Sequence, residues 1–288
     1  MRPALATALA LLLAGCASAP LRQAPPPPSP PGAPEIRAVR VSAPPMVDGY
    51  SNDPAWVEAQ ETEVPFGKSG ELRLGLKAAV HEGSLYLLVA WPDPTETMRN
   101  DPHMVSGPDY LWRENSLGDS VLVNLPLMGL FADGADVSPD STVDFWRWNP
   151  MDGAKSGHAE DGVLSLRNWF TPEGSWYPGL LYMGSLRMDE PGTKGNGGDV
   201  LAQGHWKDGA WTVEFARALS TGQPDDRDLG GLAEIPIRVV VSDRGGADAF
   251  GPHGFSDTPV LRLLLPPPLP VDHQGPFPEP RGDSRERR

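Results

Sequence analysis

The chain has a single cysteine, Cys16, in 288 residues. One thiol excludes an intramolecular disulfide, a Cys-x-x-Cys-His haem attachment, an iron–sulfur cluster and a thiolate zinc site. Any prosthetic group must be held non-covalently, and stability must come from a packed core. Positive charge is also scarce. With 24 Lys and Arg against 38 Asp and Glu, the formal net charge is -14. That balance keeps the chain soluble and argues against DNA or an anionic lipid surface as a partner. There is no internal repeat and no long helical period. Phosphate-loop, Gly-x-Ser-x-Gly and His-Glu-x-x-His patterns are missing. Histidines 81, 103, 158, 205, 253 and 273 show no metal-ligand spacing. Carboxylates such as Glu160, Asp161, Asp225, Asp226 and Asp228 form no recognised acid–base pair. The expectation is a binding or carrier protein, not a catalyst.

What is present begins with a targeting segment. Arg2 precedes an apolar run from Ala4 to Leu13, too short to span a bilayer as a mature helix. It ends in Leu13-Ala14-Gly15-Cys16, which resembles a bacterial lipoprotein cleavage box with Cys16 as the lipidated residue. Cleavage after Ala17-Ser18-Ala19 is the alternative, and it would discard Cys16. Stable anchoring takes more than one acyl chain, and bacterial lipoproteins by resemblance carry three. Ala17 after the cysteine, in place of Asp, implies by the same resemblance a cell-envelope protein on the outer membrane facing the periplasm. The chain then divides into residues 1–16 (signal), 17–35 (proline-rich tether), 36–265 (one domain) and 266–288 (proline-rich, charged tail). A polyproline tether rises ~3.1 Å per residue and would hold the domain ~40 Å from the membrane.

The domain reads as mostly β, an antiparallel β-sandwich with long loops and few short helices. Residues 72–78 and 84–91 alternate around the turn Glu82-Gly83 and predict a hairpin. Further strands are expected at 120–125, 142–148, 209–217, 235–242 and 260–265. Short strands separated by Gly, Pro and Asp favour two packed sheets. The long connections 93–119 and 151–200 are where such a domain would grip a ligand. The run Asp225-Asp226-Arg227-Asp228 reads as a solvated turn.

Four separated motifs occur in order. Val47-Asp48-Gly49 with Asp53-Pro54-Ala55-Trp56 makes a tight turn and a core aromatic. Trp91-Pro92-Asp93-Pro94-Thr95 is a strand-exit corner whose Asp and Thr can bond loop backbone. Asp144-Phe145-Trp146-Arg147-Trp148 puts two tryptophans on one strand face. Trp206-Lys207-Asp208-Gly209-Ala210-Trp211 is a turn entering a strand. With Gly118-Asp119-Ser120-Val121, this order resembles the ethylbenzene dehydrogenase-type haem-binding domain, the haem b subunit of periplasmic molybdenum dehydrogenases. That family is itself a relative of family 9 carbohydrate-binding-module-like sandwiches.

The resemblance implies one non-covalent haem b and electron transfer, with a redox enzyme subunit or cytochrome as partner and no nucleic acid. It implies Met128 as one axial ligand, a thioether that would raise the potential. Trp146 and Trp148 would wall the pocket, with Arg147 or Arg167 on the propionates. The family's second ligand is a lysine, and this chain has Gln203 in the most similar position. His205 is then the nearest replacement, ahead of Lys194 and Lys207. Asn149 also departs from the family's lysine after the second tryptophan. Each residue has an ordinary reading beside this one: Met128 as gap-filling core, His205 as a strand-edge side chain, the tryptophans as core. The alternative function is a carbohydrate-binding sandwich module or a ligand-free scaffold lipoprotein.

Overall fold

The computed structural model describes residues 23–67, 70–98, 118–128, 142–151, 153–165, 169–170, 176–177, 181–182, 199–223, 225–242 and 255–268. Cys16, Arg167 and Lys194 lie outside them. In chain order the elements are β1 (Glu35–Arg37), β2 (Val39–Arg40), α1 (Pro54–Glu58), β3 (Thr62–Phe66), β4 (Leu72–His81), β5 (Ser84–Pro92), β6 (Ser120–Met128), β7 (Thr142–Trp148) and α2 (Gly153–Ser156). They continue with β8 (Glu160–Ser165), β9 (Trp169–Phe170), β10 (Trp176–Tyr177), β11 (Leu181–Tyr182), β12 (Leu201–Lys207), β13 (Ala210–Ala218), β14 (Glu234–Ser242), β15 (Phe255–Asp257) and β16 (Leu261–Leu264).

Two sheets pack face to face. One has eight strands in the order β1-β16-β14-β6-β7-β8-β11, with β15 also on β14. The other has six, β12-β13-β5-β4-β2, with β3 also on β4. β9 and β10 pair separately. The expected sandwich is therefore present, but its sheets are mixed: β1 runs parallel to β16 and β2 parallel to β4. The cause is the entering chain. Only Ala38 separates β1 from β2, so one short extended segment adds an edge to each sheet and stitches them together.

Hairpin geometry follows the turn residues. Glu82-Gly83 (φ 43° and 84°) joins β4 to β5, and Asp208-Gly209 (φ 52° and 82°) joins β12 to β13. Positive φ at both central positions is what the twist of a two-residue hairpin demands.

Strand alternation then sorts the side chains. Leu74, Leu76, Ala78 and Val80 of β4 meet Val121, Val123 and Leu125 of β6 and Val239 and Val241 of β14 in one core between the sheets. Trp91, Trp146, Trp148, Trp211 and Phe215 belong to it. The opposite face of the six-stranded sheet has a smaller core, where Trp56 and Ala55 of α1 cover Ala79 and Leu88. Pro54 opens that single turn, where its missing N–H costs nothing.

The proline-rich segment is docked at Gln23 and Ala24. Asp228 N–H donates to Gln23 Oε1 (3.0 Å) and Arg227 Nη2 donates to the Ala24 carbonyl (2.9 Å). These contacts hold Gln23 and Ala24 against the 226–228 segment.

Candidate functional site

The interior holds charge as well as hydrocarbon. On β7, Asp144 shares the inward face with Trp146 and Trp148. On β13, Arg217 follows Trp211, Val213 and Phe215 inward. The two meet: Arg217 Nη1 lies 2.5 Å from Asp144 Oδ2, both side chains being fully buried. Arg217 Nη2 donates to the Arg227 carbonyl (2.6 Å), and Arg227 N–H donates to the same Asp144 oxygen (2.7 Å). The guanidinium also stacks over Trp146, 4.7 Å from its ring centre. Asp226 reaches Arg217 at 3.7 Å. The expected solvated turn is therefore folded inward, with Asp226 and Arg227 only 3% and 2% exposed. Its backbone is held by Leu229 N–H to the Leu219 carbonyl and Leu219 N–H to the Gly83 carbonyl.

Asp161 completes this cluster. It sits on β8 directly across from Trp146 and is 8% exposed. One carboxylate oxygen from each of Asp144, Asp161 and Asp226 can be chosen so that all lie within 4.8 Å of one another. Burial pushes Asp161 up to about 11, with help from the neighbouring Asp144, Asp199 and Asp226 carboxyls and against Arg217. Burial likewise lifts Asp226 to about 7 and raises Asp144, with Arg217 opposing both. Burial works to lower Arg217, but the surrounding carboxylates outweigh it and raise its pKa.

A second buried carboxylate lies on the other face of β13. Glu214 accepts from Asp48 N–H (2.9 Å), Gly49 N–H (2.7 Å) and Trp56 Nε1 (2.5 Å). It ties the Val47-Asp48-Gly49 turn and α1 to the sheet. Burial lifts its pKa to about 7, against those three donors. Above this tie, Tyr50 is 45% exposed and its ring lies 4.4 Å from that of His205, tilted by 35°.

The residues that the sequence singled out are distributed as follows. Trp146 and Trp148 are fully buried, the first against Phe215 and Arg217, the second edge-on to Trp211 at 5.3 Å. Trp148 also fills the space above Gly153 and Gly204, where any Cβ would enter its ring. Arg147 points to the opposite face of β7 and pairs with Glu160 at 3.0 Å. Met128 ends β6 opposite Thr142, past an irregularity at Pro126. His205 follows Gly204 on β12. Gly204 faces Trp148, so alternation turns His205 to the outer face, toward Tyr50. Thr142 and Trp148 lie six positions apart on β7, about 20 Å of strand. The backbone therefore sets Met128 and His205 near opposite ends of β7. The Trp91 corner does what its residues suggested: Thr95 N–H donates to Asp93 Oδ1 (3.0 Å) and Trp206 Nε1 to the Asp93 carbonyl (2.9 Å). Sequence reasoning missed Arg217, Asp144 and Glu214, although Arg217 and Asp144 both follow the inward alternation of their strands.

No family model matches the sequence, and no curated protein matches it. Among solved structures, the chain is similar to a family 9 carbohydrate-binding module from Caldicellulosiruptor kristjanssonii in complex with cellotriose, at 13% identity and TM-score 0.43, over 81% of this chain and 94% of that one. The glucose complex gives 14% and 0.44, over 84% and 100%. A putative carbohydrate-binding protein from Bacteroides uniformis gives 8% and 0.43, over 81% and 99%.

Proposed function

We propose that this chain is a non-catalytic binding module of the cell envelope, tethered through Cys16, that takes a carbohydrate on the outer face of its six-stranded sheet. The observation that carries the reading is where the aromatic rings go. Trp56, Trp91, Trp146, Trp148 and Trp211 are all at most 2% exposed, so they build core. A haem pocket walled by Trp146 and Trp148 would need those rings on a cavity, and protein encloses both. Tyr50 instead presents a ring to solvent beside His205, on a strand edge that carries Gln203 and Lys207 on the same face. An aromatic face flanked by hydrogen-bonding side chains is the chemistry that a sugar ring requires.

The test is retention of the full-length protein on insoluble polysaccharides, run beside its absorbance spectrum after haem supply. Retention that is lost in Tyr50→Ala supports the module. No retention on any polysaccharide, together with a Soret band and a six-coordinate reduced α band, would return the haem electron-transfer reading, with at least one axial ligand other than the pair Met128 and His205.

A further inference from the structure

The buried carboxylates have a chemistry that sugar binding does not use. The geometry points to a site for a hard divalent cation, Ca²⁺ in the first instance, between Asp144, Asp161 and Asp226. Hard cations take oxygen ligands at about 2.3–2.6 Å, so oxygens on opposite sides of one ion lie about 5 Å apart. The three carboxylates meet that spacing, with one oxygen each inside 4.8 Å.

The second observation is which oxygens are already used. Asp144 gives Oδ2 to Arg217 and Arg227, and Asp226 turns Oδ1 toward Arg217. Their other oxygens, Asp144 Oδ1 and Asp226 Oδ2, are buried and meet no donor at hydrogen-bond geometry, with Trp146 near the first carboxyl and Thr221 near the second. Asp161 is more than nine-tenths buried, and no N–H or hydroxyl donor reaches either of its oxygens; the group beside it is another carboxyl, Asp199. A buried carboxylate in that state is costly unless it is neutralised or paired. Asp161 is also placed by β8 beside the other two, not pointed at a cation of its own.

Charge gives the same answer. Arg217 offsets one of the three carboxylates, and the remaining excess equals the charge of one divalent ion. Farther out, Asp199 and Asp225 against Arg227 leave one more negative charge, which also favours a cation over none. Carboxylate ligands bind a cation only in their deprotonated form. Cation and protons then compete, so binding must release protons and tighten as pH rises. The oxygen-only donor set excludes a preference for soft metals.

The site does not depend on the carbohydrate reading. It is tested by calorimetric titration of CaCl₂, then MgCl₂ and MnCl₂, into full-length protein stripped with chelator and held in detergent. Buffers of different ionisation enthalpy count the protons released. One ion per chain, with proton release and a melting temperature raised more at about pH 8 than at about pH 5.5, is expected. Asp161→Asn, which removes no bonded donor, should fold and bind more than about tenfold more weakly, since even outer partners of metal sites carry that much. Asp226→Asn serves as the second variant if the first does not fold. Absence of saturable binding for all three ions overturns the site. Unchanged titration in either folded variant places the ion on the acidic surface and overturns it equally.

Discussion

Arg217 Nη1 and Asp144 Oδ2 lie 2.5 Å apart in the middle of the sandwich, with neither side chain reaching solvent. The pair joins β13 of one sheet to β7 of the other and pins the 225–228 segment through Arg227. Taking one partner away leaves a buried charge behind. Arg217→Met should therefore cost about 3–5 kcal/mol near neutral pH. The carboxyls it abandons can take up protons, so the cost should shrink in acid. Urea unfolding at two pH values checks this. Equal losses at both would mean that Arg217 acts through its hydrocarbon packing on Trp146 and not through charge.

Stability against pH should run opposite to the usual carboxylate pattern. Glu214 and Asp226 are both lifted to about 7 in the fold. A raised folded-state pKa means that the fold holds a proton that the unfolded chain releases. That contribution is complete below the unfolded value, near 4, and is lost as pH rises through about 7. Each proton sets a slope of at most about 1.4 kcal/mol per pH unit. Melting temperature in chelator should therefore fall between about pH 5 and pH 8. Glu214→Gln keeps an oxygen for the Asp48 and Gly49 amides and cannot titrate, so its curve should be flatter. A slope as steep as wild type would remove Glu214 from this account.

Trp148 is held between two backbones that come close because they lack a Cβ. Gly153 opens α2 and Gly204 lies within β12, and a methyl at either would occupy the indole. Neither substitution can be absorbed by a flexible tip, because the atoms met are ring atoms enclosed by core. Gly153→Ala and Gly204→Ala should each destabilise by about 1–3 kcal/mol, the range for overpacking. Gly83→Ala meets no neighbouring atom, but its φ of 84° favours glycine, so its loss should reflect backbone strain alone. Thermal melts of the three variants separate the two causes: near-UV circular dichroism should change for the first two, where Trp148 moves, and not for the third.

Alternation made β4, β5, β7, β13 and β14 legible, because each buries every second residue against the facing sheet. β8 and β12 gave weaker signals for a physical reason. β8 places Asp161 inward where a hydrophobic residue would be looked for, and β12 places Gly204 inward to make room for Trp148. The parallel edges were hidden because β1 and β2 are too short to carry a period. The interior charge was half readable. Period two puts Asp144 level with Trp146 and Arg217 level with Phe215, so their burial follows from the strands. The inward fold of 225–228 does not, since Asp144, which holds it, is 83 residues away from Arg227 in the chain. The ligand candidates Met128 and His205 came from the family resemblance, and only strand register shows how far apart β6 and β12 carry them.

Tyr50 decides between a structural and a recognition role for the outer face. Its backbone N–H is already satisfied by Asp48 Oδ1 (3.0 Å), and the turn beneath it is held by Glu214. The side chain is therefore not needed to keep the turn. Loss of its contact with His205 should cost about 0.5–1.5 kcal/mol, the value of one aromatic pair. If the ring serves a sugar, Tyr50→Ala should release the protein from polysaccharide by more than about tenfold at that small stability cost, because stacking area dominates such contacts. Tyr50→Phe keeps the face and should retain most binding. His205→Ala removes the ring behind it and should give an intermediate loss. A Tyr50→Ala protein that binds as wild type would show that this face is ordinary surface, with the recognition residues elsewhere on the module.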